Sequence, residues 1–136
     1  MIQRLSHMNL YVLDQERAKA FYTEKLGFAV RADMTLGSFR WLTVGPAGQP
    51  DLEIVLMPIA PSQFMDEATC ATLRKILASA GLSGGVLETA DCQQTYEELA
   101  AKGVEFVHLP TARPYGIEAL FKDDSGNWFS IVQRQR

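Results

Sequence analysis

Only two cysteines, Cys70 and Cys92, occur in 136 residues, which is neither the number nor the spacing of a disulfide framework or a zinc knuckle. No run of 18 apolar residues is present, so no stretch reads as a membrane-spanning helix. Lysines and arginines are scattered singly against a net charge of −3, which leaves no basic stripe to track a phosphate backbone and gives no reason to expect nucleic acid as a partner. The opening residues, MIQRLSH, alternate at once and lack the basic region and unbroken apolar stretch of a signal peptide, so the cytoplasm is the expected compartment. The glycine run between Gly81 and Gly85 follows a helical pattern rather than a strand; it lacks the context of a phosphate-binding loop and reads as a flexible join.

What is present is ordinary for a folded domain, with 47% apolar and 21% charged residues. Half of this length would bury too little surface to be stable alone, so one domain with a shared core is expected. Residues 5–13 alternate, with Met8, Leu10 and Val12 on one face and His7, Asn9 and Tyr11 on the other. Asp14 then stands as a helix N-cap, Ala18, Phe21, Tyr22 and Lys25 follow at helical spacing, and Gly27 supplies a stop. Strands are predicted over 28–32, 39–44 and 52–57. The same β-α-β-β-β order returns about 77 residues later. Its strand covers 85–89, Asp91 is an N-cap with Gln94 as a capping-box partner, and Gly103 is the stop. Strands over 104–108, 117–122 and 128–133 complete this copy, the last two joined by the turn sequence DDSGN at 123–127. Between the copies, Met65, Ala68, Leu73, Ile76, Leu77 and Ala80 mark the apolar face of a linker helix. Cys92 falls in the first turn of the second-copy helix, where a terminus can lower a thiol pKa, although a small packed residue is the plainer reading.

The polar-faced opening strand with His7, the phrase FYTEKLGF at 21–28 and the turn DDSGN together resemble the vicinal oxygen chelate superfamily, the glyoxalase, bleomycin-resistance and extradiol-dioxygenase group. The resemblance implies an α+β fold of two β-α-β-β-β modules, 1–58 and 84–136 around a helical linker at 59–83, whose sheets form an open barrel around a cleft. It also implies four metal-ligand positions, one on the first and last strand of each module. On this sequence those positions are His7, Glu53, Gly84 and Ser130. A Lewis-acid centre needs about three protein ligands and an open site. Glycine offers no side chain and a neutral serine is a poor ligand for transition metals. The expectation is therefore no cofactor, with a divalent metal (Zn, Ni, Fe or Mn) held by His7 and Glu53 as the alternative. Glu88, Glu118 and His108 are weaker substitutes for the missing ligands.

Strand alternation places Asn9 and Tyr11 beside His7, Val55 and Met57 beside Glu53, and Trp128 and Val132 beside Ser130. Such an apolar and aromatic wall with a few polar groups suits a small molecule. Phe39 and Trp41 extend the wall, and Arg113 and Arg40 could anchor an anionic group at its rim. Three readings follow: a metal-independent protein binding an aromatic or amphipathic molecule; a lyase, isomerase or dioxygenase retaining catalysis through His7 and Glu53; and a structural or regulatory module without a ligand. Exposed sheet edges lead to the expectation of a homodimer.

Overall fold

The computed structural model describes residues 1–135. The chain divides into two compact units, Met1–Arg74 and Lys75 onward. Each holds one mixed four-stranded sheet. The first unit runs β1 (His7–Val12), α1 (Gln15–Ala20), a π-helical turn (Phe21–Lys25), β2 (Ala29–Leu36), β3 (Phe39–Gly45) and β4 (Glu53–Pro58). The α2 helix (Glu67–Ser79) straddles the division. The second unit continues with β5 (Leu82–Glu88), α3 (Cys92–Ala101), β6 (Glu105–Arg113), β7 (Gly116–Lys122) and β8 (Asn127–Arg134). Spatial orders are β1-β4-β3-β2 and β5-β8-β7-β6, so the two copies seen in the sequence fold with one topology.

In the first unit α1 covers one face of its sheet. Leu10, Val12, Leu42, Val44 and Leu56 are buried from the strands, and Ala18, Phe21 and Tyr22 from the helical side. Each fully buried side chain of this size contributes about 1.5–3 kcal/mol. Asp14 caps α1 as expected, its carboxylate accepting from the Arg17 amide at 2.9 Å. The regular helix predicted to reach Gly27 instead loosens after Ala20 into the π-helical turn. There the Leu26 amide donates to the Phe21 carbonyl at 3.3 Å, five residues back, and Gly27 at φ 72° then ends the run.

The second unit is built on a run of rings. Tyr96 of α3 meets Phe106 edge-on at 4.8 Å, Phe106 approaches Phe121 at 6.0 Å, and Phe121 stacks on Phe129 at 5.6 Å. Asp91 caps α3 by accepting from the Gln94 amide at 2.9 Å. The reciprocal capping-box bond is not made: the Gln94 side chain reaches forward to Glu98 at 3.0 Å. The DDSGN turn is organised by Asp123, whose Oδ1 accepts from the amides of Ser125, Gly126 and Asn127, each at 2.9 Å. Its Oδ2 accepts from the Asn127 side chain at 3.0 Å.

β2 and β6 run well past 32 and 108, because each pairs with its neighbour along a full hairpin. Residues 82–85 are not a flexible join but the start of β5, paired with β8 from Leu82↔Asn127 onward. The buried face of α2 carries Cys70 and Leu77, while Ala68, Ile76 and Ala80 are exposed. Cys70 is apolar enough to pack as a small hydrophobe.

Candidate functional site

The face of the first sheet opposite α1 carries the residues that the sequence singled out in this half. β1 and β4 are parallel and in direct register: His7 opposes Glu53, Asn9 opposes Val55 and Tyr11 opposes Met57. Thr43 of β3 opposes Val55. Trp41, two residues along β3, shares that face by alternation. The sheet thus gathers His7, Asn9, Tyr11, Glu53, Val55, Met57 and Trp41. The Trp41 and His7 rings lie 5.9 Å apart, tilted by 49°.

A chain of hydrogen bonds crosses the polar end of this face. His7 Nε2 lies 3.0 Å from Glu53 Oε2, and His7 Nδ1 lies 2.9 Å from Ser6 Oγ. The Thr43 hydroxyl donates to Glu53 Oε1 at 2.7 Å, and the Glu53 amide donates to the Ser6 carbonyl at 3.0 Å. In the neutral imidazole, a carboxylate facing Nε2 favours the proton on that nitrogen, and Nδ1 then accepts from the Ser6 hydroxyl. The His7 side chain is 40% exposed and Glu53 28%, so solvent and a ligand can reach both. Asn9 is exposed, and Tyr11, Trp41 and Met57 are half-buried. Val55 shares this face but is only 1% exposed, so its side chain is covered by its neighbours.

Of the remaining predicted residues, Trp128, Ser130, Val132 and Arg113 lie in the second unit and Arg40 in the first. Trp128 and Ser130 share one face of β8, where both are half-buried and Val132 beside them is buried. Arg113 ends β6, with Nε 3.7 Å from Glu118, whose Oε1 also accepts from the Tyr115 hydroxyl at 2.7 Å. That acceptor holds the Tyr115 phenol above its usual pKa. Arg40 is not a free anchor: it grips Asp33 through two bonds of 2.8 Å and Glu16 at 2.7 Å, which keeps the Asp33 carboxyl well below the usual carboxylate range. The Cys92 thiol is fully buried and burial pushes its pKa up, the opposite of an activated thiol. A recess of about 590 Å³ that sequence reasoning missed is lined by Glu88, Thr89, Ala90, Gln133 and Arg134. Glu88 and Arg134 pair with each other there. No local pattern announced this recess, since it joins the ends of two strands 46 residues apart.

The residues present do not assemble the family's metal quartet. Ser130 is opposed by Val86, not by Gly84: the partners are 46 residues apart at His7↔Glu53 but 45 at Ser83↔Trp128, and the bulge at Gly84 brings this to 44 at Gly85↔Phe129. A Cβ on Gly84 would lie 2.4 Å from the Phe129 ring, on the core side of the sheet. His7 and Glu53 are therefore two donors without the other two, and among the described residues no group of three His, Cys, Asp or Glu side chains gathers to hold an ion.

Two mixed sheets of matching β-α-β-β-β topology, each with its helix on one face, define a paired-module α+β protein. The chain belongs to the glyoxalase/bleomycin resistance protein/dioxygenase superfamily, whose family model matches residues 4–131. It is 37% identical over 127 residues to YurT of Bacillus subtilis (strain 168), covering 93% of this chain and 95% of that protein. Among solved structures it is similar to UcmS2, at 53% identity and TM-score 0.92, covering 98% of this chain and 99% of that one. It also resembles TnmS3, an antibiotic binding protein from Streptomyces sp. CB03234, at 31% identity and TM-score 0.77, covering 98% of each chain.

Proposed function

We propose that this protein binds an aromatic or amphipathic small molecule against the first-sheet face of Trp41, Tyr11, Met57 and His7, and sequesters it without a divalent metal. The observation that carries the reading is the pairing of that aromatic wall with a half-exposed His7–Glu53 strip whose partners are other side chains, not a ligand quartet. The wall supplies apolar contact, and the strip supplies polar groups that orient a hydroxyl or carbonyl. The likeness to TnmS3, an antibiotic binding protein, supports this reading. On the second unit's own sheet, Trp128 and Ser130, with Arg113, are proposed as ligand-binding residues, and the protein as a cytoplasmic homodimer. The test is a thermal-shift screen of aromatic antibiotics. A true ligand raises Tm in proportion to the logarithm of its concentration, and Trp41→Ala abolishes the rise. Silence across a broad panel would sink the reading.

One observation favours a second reading: His7 and Glu53 stand directly opposite each other at 3.0 Å, as ligands of a metal-dependent lyase, isomerase or dioxygenase would. Metal analysis of chelator-free protein separates the two. Stoichiometric zinc, nickel, iron or manganese that disappears in His7→Ala would replace the first reading with the second.

A further inference from the structure

The two sheets differ at one seam. β7 and β8 are zipped over seven consecutive pairs, from Gly116↔Arg134 to Lys122↔Trp128. Their counterparts β3 and β4 pair at only two, Thr43↔Val55 and Val44↔Ile54, although they are seven and six residues long. Beyond Thr43 and Val55 the ladder stops, and a side chain takes its place. Gln15 Nε2 donates to the Arg40 carbonyl on β3 at 3.1 Å and to the Leu56 carbonyl on β4 at 2.9 Å. Both acceptors are carbonyls, so the amide must present its nitrogen here, and both of its protons are used.

This bridge is rigid at its root. Gln15 is the first residue of α1, directly after the Asp14 cap, and the adjacent Glu16 holds the Arg40 guanidinium at 2.7 Å. The start of α1 therefore grips Arg40 by its carbonyl and by its side chain. The residue after each bridged carbonyl, Trp41 on β3 and Met57 on β4, belongs to the proposed binding face. In the second unit the position after the Asp91 cap is Cys92, too short to bridge, and there the strands close.

We infer that Gln15 is a positioning residue: it holds the β3–β4 seam open and sets the spacing of Trp41 and Met57, so that a planar aromatic ring fits between them. The inference rests on the ligand-binding reading above and adds the shape of the ligand to it. Gln15 itself touches the two carbonyls, not the ligand.

The test uses the full chain labelled with 5-fluorotryptophan. Its two tryptophans give two fluorine resonances, and Trp41→Phe assigns one of them. Proflavine, a planar tricyclic cation suited to a chain of net charge −3, is the binding probe, read by fluorescence anisotropy. Gln15→Leu removes both donors, Gln15→Glu replaces them with acceptors, and Gln15→Lys keeps a donor on a side chain of similar reach. The Leu and Glu variants should shift the Trp41 resonance, leave Trp128 in place and weaken proflavine binding about tenfold, the scale of a lost buried hydrogen bond. The Lys variant should restore both towards wild type, which a general loss of stability would not allow. Gln15→Met substitutes if the Leu variant fails to fold. An unmoved Trp41 resonance overturns the bridge, and a moved resonance with unchanged affinity overturns the positioning role. Wild-type protein that ignores proflavine while the resonance still moves overturns the planar-ligand claim, and that pattern separates failure of the binding reading from failure of the bridge.

Discussion

The Phe129 ring occupies the space into which any side chain at Gly84 would project, with Cζ, Cε1 and Cε2 all within 2.7 Å of the missing Cβ. Glycine at this position is thus a packing requirement of the second sheet, whose aromatic run needs the ring where it is. Gly84→Ala should lower stability by about 1–3 kcal/mol, the usual cost of overpacking a well-filled core. Urea unfolding checks this, and Phe129→Leu in the same chain should recover part of the loss. A Gly84→Ala protein as stable as wild type would show the ring to be free to move. Asp123 makes a similar case for a single side chain. It is 7% exposed and accepts four hydrogen bonds from the turn it organises, so Asp123→Ala strands three amides and the Asn127 side chain. The expected loss is about 2–4 kcal/mol in the same assay, from donors left without partners.

Between α1, β2 and β3, the Asp33–Arg40–Glu16 cluster, joined by Lys19 at 2.9 Å, ties the helix to the hairpin. The Asp33 carboxyl is depressed first by its hydrogen bonds to Arg40 and then by Lys19. A depressed carboxyl contributes stability above its unfolded pKa of about 3.9 and loses it as pH falls towards the folded value. Asp33→Asn should therefore cost about 1 kcal/mol near neutral pH, because the group is partly solvated, and the gap to wild type should narrow below about pH 4. Denaturation measured across that range decides it; a constant gap would mean the charge is not what matters. The caps at Asp14 and Asp91 and the strand order were legible in the sequence, since local spacing carries both. The bulge at Gly84 was not, because pairing depends on a strand 44 or 45 residues away and the caps kept their 77-residue offset regardless. The same limit hid the β3–β4 seam: Gln15 looks like any polar residue in a first helical turn. The Gln94 side chain failed its capping-box role because Glu98, one turn on, competes for it.

For the whole molecule, several of the exposed apolar side chains stand on edge strands: Met34 and Leu36 on β2, Val107 and Leu109 on β6, and Val86 on β5. Apolar exposure on edge strands such as β2, β5 and β6 favours self-association. Sedimentation should give twice the 15.1 kDa of the chain, and Leu36→Glu with Leu109→Glu should shift it towards one copy. A single-copy mass for the wild type would refute the homodimer. The bulge in β5 has a last consequence, for protein engineering. Residue-counting would install a new imidazole at position 84, where it would be driven into the aromatic core. The register instead marks Val86 and Ser130 as the facing pair, so Val86→His together with Ser130→Glu is the route by which a designer could copy the His7–Glu53 arrangement into the second sheet.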